Sequence, residues 1–124
     1  MNVVDSSGWL EYFAHGPNAD FFATAIEDIS ELVVPSISMY EVFKRVLQER
    51  GESDALQVVA SMYQGLVVDL DTPIALSSAR ISVDLRLPMA DSIILATARL
   101  YNAILWTQDS DFGSIEGVRY VDRK

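Results

Sequence analysis

Residues Pro88–Phe112 read P-M-A-D-S-I-I-L-A-T-A-R-L-Y-N-A-I-L-W-T-Q-D-S-D-F. Pro88 suits a helix entrance, where its missing N–H matters least. Ile93, Ile94, Leu95, Ala96, Ala98, Leu100 and Tyr101 put apolar side chains on almost every side of that helix. A helix apolar all round belongs inside a protein. Asn102 suits a left-handed stop. Ala103–Trp106 is then a short continuous apolar run, as in a strand covered on both faces. The stretch therefore predicts a central piece of an α/β core. It also carries Asp91 in the first helical turn and Asp109 and Asp111 just past the strand. Carboxylates at the edge of so apolar a unit require a reason.

Upstream, the same alternation repeats. Asn2–Asp5 is a strand candidate ending in an acid, and Ser6-Ser7-Gly8 leads into a short helix with Trp9, Leu10, Tyr12 and Phe13. A second helix is expected from Ala19 to Ile29, with Asn18 as cap and Phe21, Phe22, Ala25, Ile26 and Ile29 as its buried stripe. Leu32–Pro35 is a second strand. Ser38-Met39-Tyr40-Glu41 fits a capping box, a Ser three residues ahead of a Glu. The helix it opens runs to Arg50, with Tyr40, Phe43, Val46 and Leu47 inward. Another helix is expected over Ser53–Gln64 and a third strand over Leu66–Leu70. Asp71-Thr72-Pro73 opens a helix to Leu85, with Thr72 as cap and Asp69 and Asp71 as capping acids. Arg119–Val121 is a last, edge-like strand. Strands alternating with helices predict a mostly parallel central sheet of about five strands flanked by helices, in one domain spanning residues 1–124.

Composition narrows the chemistry. The 124 residues hold no cysteine and one histidine. Disulfides, thiolate metal sites, a cysteine nucleophile and a multi-histidine centre are excluded. His15, in A-H-G-P, reads as a solvated loop residue. The net charge of −9 argues against a broad basic face that grips nucleic acid. It leaves room for a nuclease whose acids hold cations. No basic segment followed by an apolar run opens the chain, and no run reaches membrane-spanning length, so a cytoplasmic protein is expected.

Most of the 18 acids fall on outward helix faces. Asp5, Glu41, Asp69, Asp71, Asp91, Asp109 and Asp111 instead lie where a strand ends or a helix begins. In a parallel sheet those places share one edge, where ligands bind. Each has a plainer reading. Glu41 completes a capping box or pairs with Lys44 and Arg45; Asp91 complements a helix dipole; Asp5, Asp109 and Asp111 serve as caps or turn residues. Joint placement favours a site, because clustered carboxylates repel unless one takes a proton or a cation binds. With only oxygen ligands that cation is Mg²⁺ or Mn²⁺, which supports phosphodiester hydrolysis by metal-activated water.

At these residues the chain resembles the PIN-domain ribonucleases, and among them the VapC-type toxins of toxin–antitoxin pairs. The matching pieces are V-V-D-S-S at Val3–Ser7, S-I-S-M-Y-E-V at Ser36–Val42, A-D-S-I-I-L-A-T-A at Ala90–Ala98 and W-T-Q-D-S-D-F at Trp106–Phe112. The resemblance implies a metal held by Asp5, Glu41, Asp91 and Asp109, with Asp111 auxiliary. It implies that Ser6 and Thr107 orient those acids or ligand water. It further implies Mg²⁺- or Mn²⁺-dependent cleavage of single-stranded or looped RNA leaving 5′-phosphate ends, a homodimer, and a VapB-type antitoxin that blocks the site. Basic residues are few, so RNA positioning is expected from Lys44 and Arg45, with Arg50, Arg86 and Arg99 behind them. Trp9, Tyr12, Phe13, Met39, Tyr40 and Phe43 divide between core and a docking surface.

Four other readings compete. A non-catalytic PIN-like module that binds RNA or protein would not need the intact acid set, and an RNA-processing nuclease would have no antitoxin. V-V-D-L-D-T at Val67–Thr72 echoes the start of haloacid-dehalogenase-like phosphatases. Only 51 residues follow Pro73, too few for that family's remaining motifs. A signalling receiver domain needs a lysine after its last core strand, and none lies there.

Overall fold

A computed structural model describes residues 1–124. Its five strands are β1 (Asn2–Val4), β2 (Leu32–Pro35), β3 (Leu66–Val68), β4 (Ile104–Thr107) and β5 (Val118–Tyr120). They form one sheet in the order β3-β2-β1-β4-β5, and every pair is parallel. The six helices are α1 (Ser6–Phe13), α2 (Ala19–Ile26), α3 (Ser36–Arg50), α4 (Glu52–Met62), α5 (Thr72–Leu85) and α6 (Met89–Leu100).

Strand periodicity explains the layers. Val3, Val33 and Leu105 point to one face, where they pack with Ile74 and Ile81 of α5 and Ile94 and Ala98 of α6. Their neighbours Val4, Leu32, Val34 and Trp106 point to the other, against Trp9, Phe22, Val42 and Met62 of α1 to α4. Successive residues of a strand face opposite ways, so a strand covered on both sides must be apolar throughout. Residues 92–98 of α6 are all buried, as the apolar wrap of that helix requires. Gly8 lets α1 lie directly on β1. A Cβ there would meet Phe22 at 2.5 Å and Val4 at 2.8 Å.

β1 to β3 build outward in one direction, and the chain then crosses back to add β4 and β5 on the other side of β1. The sheet therefore has its switch point between β1 and β4, the place where parallel sheets open a crevice. Asp5 follows β1 and Asp109 follows β4.

Several local expectations are corrected. Ser38 caps nothing: α3 begins at Ser36 directly after β2, Pro35 takes the cap position, and the Ser38 hydroxyl is buried with no hydrogen-bond partner. Asp71, not Thr72, caps α5, its carboxylate accepting from Ile74 N at 3.0 Å. Asn18 holds the cap position of α2 without a side-chain cap bond. α2 stops at Ile26, and a 3₁₀ turn over Ile29–Glu31 feeds β2, leaving Ile29 43 % exposed. Tyr40 and Leu47 are exposed, because the inward stripe of α3 is Ser38, Val42 and Val46. A helix with apolar residues on two sides does not announce which one is covered. β3 ends at Val68, two residues short of Leu70; β4 begins one residue late, at Ile104, and runs through Thr107; β5 begins one residue early, at Val118.

Candidate metal centre

The crevice collects acids from four elements. Asp5 leaves β1 in an extended conformation and is 3 % exposed. One of its oxygens, Oδ2, accepts from Ser7 Oγ and Thr107 Oγ1, both at 2.8 Å. Thr107 is itself fully buried, and its hydroxyl accepts from Asp109 N at 2.9 Å. A single hydroxyl thus locks the end of β4 to the end of β1. Glu41, on α3, accepts from Ser6 Oγ at 2.6 Å. Asp109 caps the 3₁₀ turn Ser110–Phe112 by accepting from Asp111 N at 2.9 Å. Asp91 stands half-buried in the first turn of α6.

Electrostatics show how tightly they are gathered. Burial pushes the Asp91 carboxyl up to about 7, and the charges of Asp5, Asp109, Glu41 and Asp111 add to it. Burial also raises Asp5; the Thr107 and Ser7 hydroxyls oppose that rise and Asp109 reinforces it. Crowded carboxylates in a half-dry crevice respond in this way. Asp91, Asp109 and Asp111 offer oxygens that all lie within 4.8 Å of one another, close enough to ligate one ion. Asp5 and Glu41 stand beside that trio rather than in it. A pure oxygen set, carrying unrelieved negative charge, fits a hard divalent cation.

A groove of about 950 Å³ opens over the acids, lined by Asp5, Glu41, Asp91 and Asp109. Lys44 and Arg45 form part of its wall. Arg45 is ion-paired with Glu49 one turn further on, and Lys44 lies over the Tyr40 ring, 5.7 Å from its centroid. Arg50 also lines the groove, whereas Arg86 and Arg99 do not. Of the large apolar residues near the acids, Trp9 is core at 0 % exposure and Tyr40 is 58 % exposed at the groove wall; Tyr12, Phe13, Met39 and Phe43 are intermediate.

The sequence assigns Asn18 only a cap and Ser7 only a turn beside the Asp5 motif, and it marks Gln108 and Arg123 with no role of their own. Gln108 and Arg123 line the groove. Asn18, 2 % exposed, donates from Nδ2 to Gln108 Oε1 at 3.0 Å and to the Asp122 carbonyl at 2.9 Å. Gln108 carries a signal in its place between Thr107 and Asp109, and Ser7 in its place two residues after Asp5; Asn18 is defined by partners far along the chain, at Gln108 and Asp122.

A profile of the PIN domain matches residues 3–118. No curated protein sequence matches the chain. Solved structures do. A toxin–antitoxin complex from Klebsiella pneumoniae superposes with a TM-score of 0.82 at 21 % identity, covering 96 % of each chain. VapC20 of Mycobacterium tuberculosis, a sarcin-ricin loop cleaving toxin, gives 0.76 at 14 % identity over 94 % of this chain and 95 % of that one. DNA-bound VapBC from Salmonella typhimurium gives 0.74 at 19 % identity over 98 % of both.

Proposed function

The chain belongs to the PIN-domain family, and on that premise we propose that it is the toxin of a toxin–antitoxin pair, a metal-dependent endoribonuclease. The observation that carries the reading is the gathering of five carboxylates at one sheet edge, with the Asp91 carboxyl pushed up to about 7 by burial and by the other four. Asp91, Asp109 and Asp111 would hold Mg²⁺ or Mn²⁺, with Asp5 and Glu41 completing the donor set. A divalent cation at this place supplies Lewis acidity to a phosphodiester and lowers the pKa of water for attack on phosphorus.

The chain's own residues do the rest. Thr107 and Ser7 fix the rotamer of Asp5 through its Oδ2. Ser6 fixes Glu41 in the same way. Loss of the Asp91 proton to solvent readies the acids for a cation. The groove admits a single strand along Lys44 and Arg45, and His15 lies outside its lining.

Two partners follow from the same reading. A VapB-type antitoxin would cover the groove, whose wall offers Leu10, Phe13 and the exposed Tyr40; the relative from Klebsiella pneumoniae is a toxin–antitoxin complex and that from Salmonella typhimurium is DNA-bound VapBC. A second copy of the chain would cover Leu76 and Val83 of α5 with Met89 and Leu100 of α6, which are 62–79 % exposed.

The test is purified chain, free of antitoxin, incubated with total cellular RNA in Mg²⁺, Mn²⁺ or EDTA. Cleavage with either metal, none in EDTA, and loss of at least about 100-fold in Asp5→Ala and Asp91→Ala is the expected result, the scale for removing a group that organises charge at the reaction centre. Equal cleavage by those variants would sink the assignment.

A further inference from the structure

Four basic side chains line the groove: Lys44, Arg45, Arg50 and Arg123. Arg45 is engaged by Glu49. Lys44 is drawn over the Tyr40 ring. Arg50 ends α3 nine residues beyond Glu41, about 14 Å along the axis at 1.5 Å per residue. Arg123 differs from all three. It lines the groove with Asp5, Asp91 and Asp109, and it takes part in neither of the two ion pairs of the molecule, Met1–Glu31 and Arg45–Glu49.

The backbone beneath Arg123 is fastened. β5 pairs with β4, and Val121 N donates to the Thr107 carbonyl at 3.0 Å. The Asp122 carbonyl accepts from the buried Asn18 amide, and the Asp122 carboxylate accepts from Tyr120 Oη at 2.8 Å. The same Asn18 nitrogen holds Gln108, whose Nε2 reaches the Ser7 carbonyl at 3.4 Å. One carboxamide therefore ties the segment bearing Arg123 to the loop bearing Asp109, and through Gln108 to the helix start after Asp5. An unpaired buried N–H is costly, so Asn18 resists release of Asp122. The Tyr120 phenol registers the result: its hydrogen bond to Asp122 raises its pKa most, while the charges of Arg123 and Asp109 act on it with opposite sign.

A strand of RNA approaching a chain of net charge −9 needs a local cation to meet it. A guanidinium matches two phosphate oxygens at once, and one with no internal ion pair gives up none on binding. We infer that Arg123 is a substrate-positioning residue that binds a backbone phosphate of single-stranded RNA beside the acid cluster. This deepens the nuclease reading and rests on it.

The experiment is fluorescence anisotropy of a labelled short single-stranded oligoribonucleotide in EDTA, titrated with wild type, Arg123→Ala and Arg123→Lys across a range of salt. Arg123→Ala should bind about tenfold more weakly, as expected for a lost charge-assisted contact. Its slope of log K against log salt should fall by about 0.7, the share of one phosphate on a single strand. Arg123→Lys should recover the slope but not all the affinity. With Mn²⁺, Arg123→Ala should raise KM and leave kcat nearly unchanged. Unchanged affinity and slope in Arg123→Ala would overturn the inference while RNA cleavage by wild type still upheld the nuclease. A drop in kcat with an unchanged slope would overturn it too, placing Arg123 with Asp109 rather than with phosphate. A wild-type chain that neither binds nor cuts RNA would remove both readings together.

Discussion

Asp91 is the residue on which the electrostatics turn. Its carboxyl titrates at about 7 in the folded chain against 3.8 for an ordinary aspartate. Between those values the folded chain holds a proton that the unfolded chain has released. Metal-free stability therefore falls as pH rises through that window, and below 3.8 or above about 7 this group contributes no further slope. Asp5, raised by burial, acts with the same sign. Asp91→Asn should keep the fold and lose Mn²⁺ binding, read by calorimetry. In EDTA at pH 8 it should melt a few degrees above wild type, because relief of repulsion worth about 1 kcal/mol moves the Tm of a domain this size by roughly 3–5 °C. The gain should shrink toward pH 4, where wild-type Asp91 is already protonated. A large loss of metal-free stability at pH 8 would instead make Asp91 a structural cap. The serine at the head of α3 gives a second test at this scale. The Ser38 hydroxyl is buried without a partner, so Ser38→Ala should be neutral or stabilising in urea titration. A capping serine would lose about 1 kcal/mol, as Asp71→Ala is expected to do.

At the scale of elements, α1 and the loop after β4 are the mounts of the site. α1 sits so close to β1 and α2 that Gly8→Ala must displace Phe22 or Val4. Overpacking of that kind costs about 1–3 kcal/mol. Because Ser6 and Ser7 lie on the same helix, the displacement should also weaken their bonds to Glu41 and Asp5. The expected outcome is a chain that melts lower and binds metal more weakly in parallel. A Gly8→Ala variant that melts lower but titrates with Mn²⁺ like wild type would show α1 to be a support and not a positioner. β4 brings Thr107 under both Asp5 and Asp109, so Thr107→Val, with nearly the same shape, should lower Mn²⁺ affinity more than it lowers Tm.

At the scale of the molecule, the two faces of the sheet divide the work. α1, α3 and α4 wall one side of the groove, and α6 delivers Asp91 from the other. The exposed apolar residues of α5 and α6 lie outside the groove lining. Large apolar side chains left in water on adjoining helices mark a contact surface. Light scattering should accordingly report twice the 13.8 kDa chain mass. Leu76→Glu with Val83→Glu should reduce it to one chain without loss of fold; a wild-type chain that stays at one mass across concentrations would refute the self-pairing.

The sequence determined the order of strands and helices, the burial of α6 and the placement of acids at strand ends. Each of these is local: a run of apolar residues, a period, a stop residue such as Asn102, which does adopt a left-handed φ of 50°. Tertiary structure decided what those acids touch. The Ser6–Glu41 bond spans 35 residues, Asn18–Gln108 spans 90 and Thr107–Asp5 spans 102. No window of sequence contains both partners of any of them. For that reason S-M-Y-E looked like a cap although Glu41 answers to Ser6, and Tyr40 and Leu47 looked buried although Val42 and Val46 face the core. The raised pKa of Asp91 has the same origin. Burial in the crevice raises it most, and the charges that add to it come together only where the chain crosses back past β1.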